Sequence, residues 1–282
     1  MLGEPLMKTF SELFNDNTSG SVALLKQFAN ILCNNLIKPD SRWQETLAAD
    51  LALAGARWPH FTVIHHFIKS IKTEAFSSPE VAVKWIEGYL ATWNNVHHKW
   101  ADHMQRLLPA DSRPITVHSH SESVKSTLKE LHTRGYSFQV FQTLSGPANE
   151  GVLQARSLVA SGLNVTLLTD AMSAFAVKES GLVLLGADGL YPSGFMNKSG
   201  SLNICLAAGL YKIPVYVLID SRKISNGLPE TETARSTEEI ITNAPPNLDV
   251  INFYFELVSH TYVSGYITEA GLKNSGDLFP AG

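Results

Sequence analysis

The densest group of chemically capable residues lies in "GADGLYPSGFMNKSGSLNICLAAG", residues 186–209. Asp188 closes an apolar run, Asn197 and Lys198 follow, and Ser199, Gly200 and Ser201 stand ahead of an apolar helical segment. A helix start offers N–H groups without intrahelical partners, small residues let an anion approach, and an adjacent lysine adds charge. The cluster therefore reads as a phosphate seat beside an acid. The same residues also fit a strand, a Pro-Ser-Gly turn and a capped helix, with Asp188 as a turn former. Two more charged groups point to the same region: Lys223, just after "VYVLID", and Glu150 in the turn "GPANEG", ahead of a helix.

The elements that must position these residues change character along the chain. Up to about residue 110 the pattern is helical. "SGSVALLKQFANILCNNLIK" spaces Val22, Leu25, Phe28, Ala29 and Leu32 by threes and fours, "RWQETLAADLALAGA" and "PHFTVIHHFIKSIKTEAF" give two more helices, and Pro79 opens a fourth that carries Trp85, Tyr89, Trp93 and Trp100. After the Pro/Asp/Ser stretch "LLPADSRP", β-rich apolar runs alternate with helical segments: "PITVHS", "SFQVFQT", "LNVTLLTD", "GLVLLGA" and "IPVYVLID". The expected fold is an all-helical N-terminal domain over 1–110, followed by an α/β domain over 111–282 with a parallel sheet wrapped by helices. In such sheets ligands bind beyond the carboxyl ends of the strands, where Asp170, Asp188, Asp220 and the run from His118 to Ser121 fall. The polar run "NGLPETETARSTEEIITNAPP" reads as an exposed excursion.

Composition excludes several classes. The 282 residues carry 22 basic and 26 acidic groups, a formal charge of -4 without a basic concentration, which argues against direct nucleic-acid binding. No apolar window is long enough to span a membrane, and the N-terminus has no basic segment followed by an apolar run, so a cytoplasmic location is expected. Cys33 and Cys205 read as buried thiols in a reducing compartment. The pairs His65-His66 and His97-His98 diverge by about 100° on a helix and lack the i, i+4 spacing of a helical metal site, so no metal is expected. No P-loop or G-x-G-x-x-G follows a strand, so no nucleotide cofactor is expected.

In order, "ITVHSHSESV", "FQVFQTLSGPANEG", "VTLLTDA", "VLLGADGLYPSGFMNKSGS", "IPVYVLIDSRK" and "NFYFELVSHTYVSGYITEAG" resemble the superfamily of translation initiation factor 2B alpha, beta and delta subunits. That superfamily also holds methylthioribose-1-phosphate isomerase and ribose-1,5-bisphosphate isomerase. "DNTSGS" and "ARWPHFTVIHHF" look like its N-terminal motifs. The resemblance implies a Rossmann-like second domain, a homodimer, and a phosphosugar pocket between the domains. It assigns proton transfer to Asp188, substrate contact to Asn197, Lys198 and Lys223, and a phosphate-side arginine to Arg57.

The chain departs from the isomerase pattern where the chemistry is most exacting. The family's catalytic Cys position is Ser119, its Arg-Gly-Ala is Ser19-Gly20-Ser21, its Arg before the proline is Gly146, and its Gln is Glu150. A serine hydroxyl is much harder to ionise than a thiol and needs an adjacent base. His118 or His120 could serve as that base, or be a histidine satisfied by backbone at a strand end. Cys205 lies too far along its helix, roughly 12 Å beyond Asn197, to replace the missing thiol. Two functions are therefore expected as alternatives. The first is a regulatory, non-catalytic protein that binds a phosphosugar or nucleoside monophosphate through Arg57, Glu150, Asn197, Lys198, Lys223, Gly20 and Ser21. The second is a divergent aldose-1-phosphate isomerase using Asp188 with Ser119.

Overall fold

The computed structural model describes residues 10–16, 19–59, 61–229, 232 and 234–280. Asn17, Thr18 and His60 of the N-terminal motifs, and Glu230, Thr231 and Thr233 of the polar excursion, lie outside the described residues. Two compact units divide between Asn95 and Val96.

The first unit is helical: α1 (Phe10–Phe14), α2 (Ser21–Ile37), α3 (Trp43–Arg57), α4 (Thr62–Lys72) and α5 (Pro79–Asn94). Its core follows the apolar spacing. Leu24, Leu25, Phe28, Ala29 and Leu32 of α2 and Val63, Ile64, Phe67, Ile68 and Ile71 of α4 are buried, with the wide apolar stripe of a helix that faces a core. Ser78 accepts a hydrogen bond from Val81 N and Pro79 occupies the first helical position, so α5 starts where its sequence signals it. Gly20, without a side chain, takes the N-cap position of α2. Trp85 and Tyr89 pack with Phe67, with ring centroids 6.1 and 5.1 Å from it.

The second unit begins earlier than the Pro/Asp/Ser stretch suggests. Asn95 ends α5, and a separate helix α6 (Val96–Met104) belongs to the second unit. It buries Val96, Trp100, Ala101 and Met104, and it packs on the first crossover helix α7 (Glu122–Thr133). The boundary expected near residue 110 therefore moves to 95/96, because burial of an apolar face outweighs a local loop signal.

The remaining elements are β1 (Ile115–Val117), β2 (Gln139–Thr143), α8 (Gly151–Val159), β3 (Asn164–Leu168), α9 (Ser173–Glu179), β4 (Leu182–Gly186), β5 (Gly189–Tyr191), β6 (Gly194–Lys198), α10 (Ser201–Tyr211), β7 (Val215–Leu218), β8 (Phe255–Val258), β9 (Gly265–Thr268), β10 (Gly271–Lys273) and α11 (Ser275–Leu278). The main sheet runs β10-β9-β7-β4-β1-β2-β3, parallel except for β10. Numbered by appearance, the parallel strands stand in the order 3-2-1-4-5-6, the doubly wound Rossmann arrangement. β1 and β4 are buried along their whole length, as strands covered on both faces must be.

A second, antiparallel sheet β5-β6-β8 was not foreseen. The segment expected to be a turn between Asp188 and the helix is a hairpin, and Asn197 and Lys198 sit on its second strand, paired with Glu256 and Phe255. No helix among the described residues is long and apolar enough to cross a membrane.

Candidate functional site

In a 3-2-1-4-5-6 sheet the strand order reverses between β1 and β4, and the crevice beyond their carboxyl ends is where loops diverge to admit a ligand. Here that point is bounded by the loop from His118 to Ser121 after β1 and by Ala187 and Asp188 after β4. The two loops abut: a Cβ on Gly186 would collide with Ser121 Oγ, so only glycine fits there.

The β1 loop is held rigidly. Gln154 Nε2 donates to Gln142 Oε1 (2.8 Å), Gln142 Nε2 donates to Ser119 O (3.2 Å), and Ser121 N donates to Gln154 Oε1 (2.8 Å). Ser119 adopts a left-handed backbone, φ 66°, with its N–H donated to Ser145 Oγ at 2.7 Å. That geometry aims Ser119 Oγ at Glu150 Oε1, 3.2 Å away. The Ser145 turn is fixed in its turn by Asp170, whose carboxylate accepts from Ser145 N (2.8 Å) and Gly146 N (2.7 Å). Asp170 is thus a structural anchor.

Glu150 and Lys198 meet in the interior. Lys198 Nζ stands 3.0 Å from Glu150 Oε1, with side chains 3% and 7% exposed. The contact is an ion pair without hydrogen-bond alignment, and both Lys198 Nζ and Glu150 Oε2 are buried with no hydrogen-bond partner. Burial pushes the Glu150 carboxyl above its ordinary value, against the opposing pull of Lys198. Beneath the ammonium lies Tyr254, its ring centroid 3.7 Å from Nζ.

Tyr254 connects this pair to the polar excursion. Its hydroxyl donates to Glu239 Oε2 (2.7 Å), Asn252 Nδ2 donates to the same oxygen (2.9 Å), and the Arg235 guanidinium lies 5.1 Å from the ring. The excursion is largely exposed, as expected, yet it folds back against the residue that carries Lys198. Tyr254, Glu239 and Arg235 were missed as site residues; the aromatic run "NFYF" is the one local signal that could have found Tyr254.

The helix entrance differs from expectation. Gly200 N and Leu202 N both donate to Glu256 Oε1 at 2.8 Å, and Ser201 Oγ donates to Lys198 O at 2.6 Å. The N-terminal charge of α10 is therefore already met by an internal carboxylate, and two of the N–H groups at the entrance expected to seat a phosphate are engaged. Glu256 lies on β8, far along the chain, where no spacing rule would have pointed to it.

The other expected residues fall as follows. Asn197 Nδ2 donates to Ser201 Oγ (2.8 Å) and is buried. Asp188 is half-buried at the end of β4, its N–H bonded to Met196 O at 2.9 Å. Lys223 Nζ donates to Ala187 O at 2.6 Å, which brings a second buried ammonium beside the Asp188 backbone. Asp220 is committed to Arg222 through two side-chain hydrogen bonds of 2.9 and 2.8 Å; although burial raises its carboxyl, that guanidinium and Lys223 hold it below the usual range. His118 is satisfied at both nitrogens, by Thr143 Oγ1 (2.6 Å) and Ser199 O (2.9 Å), and burial lowers its proton affinity. It is a structural histidine. In the first unit Arg57 Nε donates to Phe14 O at 3.1 Å, and Ser21 is buried at the start of α2. Cys205 is buried as expected, whereas Cys33 is half-buried. Ser119, Glu150 and Lys198 are thus directly connected, Asp188 and Lys223 meet at the end of β4, and Asn197 turns to Ser201 instead.

Known proteins resemble this chain in sequence and in fold. Ribose 1,5-bisphosphate isomerase of Methanocaldococcus jannaschii is 31% identical over 170 residues, covering 57% of this chain and 55% of the relative. The putative translation initiation factor eIF-2B subunit 2-like protein of Pyrococcus horikoshii is 30% identical over 163 residues, covering 57% of this chain and 58% of the relative. Each match thus spans little more than half the relative's length. A crystal structure of the Pyrococcus horikoshii translation initiation factor eIF-2B superimposes with a TM-score of 0.82 at 23% identity, covering 94% of both chains, and shows the fold to be the same. The Initiation factor 2 subunit family matches residues 39–275, most of the chain, and the protein belongs to that family.

Proposed function

We propose that this protein binds a small phosphorylated ligand, a phosphosugar or nucleoside monophosphate, at the switch point of its parallel sheet, and that it acts as a regulatory rather than catalytic member of its family. The observation that carries this reading is the buried Glu150–Lys198 pair, joined by half-buried Ser119, with Glu150 Oε2 and Lys198 Nζ lacking hydrogen-bond partners. Buried polar groups are normally satisfied, so a pair left open at the expected ligand position favours a ligand that completes it. Lys223 supplies a second ammonium within the same unit. A single phosphate suits this charge better than two, because Glu150 already opposes Lys198. The protein would work in the cytoplasm as a homodimer, a reading supported by exposed Phe175 of α9 and exposed Leu206 and Leu210 of α10.

A second reading is favoured by one contact. Ser119 Oγ lies against a carboxylate whose proton affinity is raised by burial, and Asp188 sits at the adjoining strand end. This fits a divergent isomerase converting an aldose 1-phosphate to a ketose. Phosphorus and proton NMR of the protein with a panel of aldose 1-phosphates and nucleoside monophosphates separates the two. Saturable binding without product supports the regulatory reading. Ketose that vanishes in Asp188→Asn establishes the enzyme and refutes it, and no binding to any member refutes both.

A further inference from the structure

Helices α6 and α7 pack on each other, α6 burying Val96, Trp100, Ala101 and Met104 and α7 burying Val124, Thr127, Leu128 and Leu131. On their outer edge this packing brings His97, His98 and Glu130 together. One ligand atom from each lies within 4.8 Å of the other two. His98 Nδ1 is 2.9 Å from Glu130 Oε1, and the two imidazole centroids are 4.2 Å apart. We propose that His97, His98 and Glu130 form a binding site for a divalent transition-metal ion of the zinc class.

Neighbouring helix residues diverge, which is why the histidine pair alone suggests no site; the third donor comes from a different helix. A point equidistant from three atoms 4.8 Å apart lies about 2.8 Å from each, and zinc bonds to nitrogen and oxygen are about 2.0–2.2 Å, so side-chain shifts of under about 1 Å complete the shell. Two imidazoles and a carboxylate are the donors that select zinc, cobalt or nickel over magnesium or calcium. Three protein ligands leave a fourth position for water.

Arg134 is the competing cation, its Nε 2.7 Å from Glu130 Oε1. It keeps two other partners when Glu130 turns to a metal: Asp102 Oδ1 at 2.6 Å and His98 O at 3.2 Å. The site is partly exposed, so ion entry requires no opening of the core.

The test uses the full chain, stripped with chelator and titrated with Co2+ and Zn2+. One Co2+ per chain, with visible absorption displaced by Zn2+ and indifferent to Mg2+, is the expected result. His97→Gln and His98→Gln, both at partly exposed positions and checked for unchanged circular dichroism, each weaken binding at least about tenfold. Arg134→Gln, which frees Glu130, tightens it. Absence of saturable binding, or binding unchanged in both histidine variants, overturns the site. Unchanged affinity in Arg134→Gln overturns the place given to Glu130.

Discussion

Replacing Lys198 by Met tests whether the Glu150–Lys198 pair is buried as described. Methionine keeps an unbranched apolar stem in place of the lysine's but leaves the Glu150 carboxylate without a counter-charge at a site 7% exposed. Breaking a buried pair from one side costs about 3–5 kcal/mol. Protonating the carboxyl limits that cost. From an ordinary value of 4.5, neutralisation at pH 7.5 costs at most about 4 kcal/mol, and at pH 5 less than about 1 kcal/mol, at 1.36 kcal/mol per unit. A carboxyl whose folded proton affinity is raised holds its proton longer in the folded than in the unfolded state. Stability is then greatest below the unfolded pKa and falls as pH rises through the window up to the folded pKa. The Lys198→Met variant should therefore melt about 8–16 °C below the wild type at pH 7.5, yet within about 4 °C of it at pH 5, taking 2–4 °C per kcal/mol for a domain of this size. Scanning calorimetry at both pH values measures this, following the transition of the second unit. The double variant Lys198→Met with Glu150→Gln removes both charges and should recover most of the loss at pH 7.5. A loss equal at both pH values, or no recovery in the double variant, would refute the buried-pair argument.

Three further outcomes follow from the same geometry. Glu256→Ala removes the carboxylate that accepts from Gly200 N and Leu202 N, and should cost about 2–3 kcal/mol in urea unfolding, with Glu256→Gln intermediate. Gly200→Ala forces a side chain onto a backbone at φ 103° with its Cβ 3.1 Å from His118 Nε2, and should cost about 1–3 kcal/mol by the same measurement. Burial raises the Cys33 thiol to about 11 and the Cys205 thiol to about 12, so the folded protein should leave a disulfide reagent unreacted at pH 8 over the time in which the denatured chain consumes two equivalents.

The parts of the fold that were legible in the sequence are those fixed by local periodicity. The helical spacing of α2 and α4 and the continuous apolar runs of β1 and β4 are visible because each element's burial is written into its own residues. The hairpin β5–β6 was not, because "GLYPSGFMNK" carries two short strands around a Pro-Ser-Gly turn, and only pairing with the distant β8 makes them a sheet. The same distance hid Glu256. A helix entrance rich in small residues looks open until a carboxylate from another strand fills it. At the site, Ser119, Glu150 and Lys198 were each singled out, but their mutual contact comes from the left-handed turn at Ser119 and the burial of α8's first turn, neither of which spacing reveals.

That contact also governs how an anion would enter. As long as Lys198 faces Glu150, a phosphate approaching the ammonium meets a carboxylate 3.0 Å behind it. Binding as proposed must draw Lys198 toward the phosphate, and Glu150, already raised by burial, then loses the charge that keeps it ionised. Its proton affinity climbs further, so ligand binding takes up a proton. Affinity should be flat at pH values where Glu150 is already protonated in the free protein, and should fall as pH rises through the window above its free-state value. The phosphate's own second ionisation, near about 6, acts in the same range, and Glu150→Gln separates the two effects. In that variant Lys198 is released from its partner, so the ligand should bind more tightly at pH 8, retaining only the pH dependence of the phosphate. Calorimetric titration in buffers of different ionisation enthalpy counts the proton directly. Equal proton uptake in wild type and Glu150→Gln would show that Lys198 and Glu150 do not take part in holding the anion.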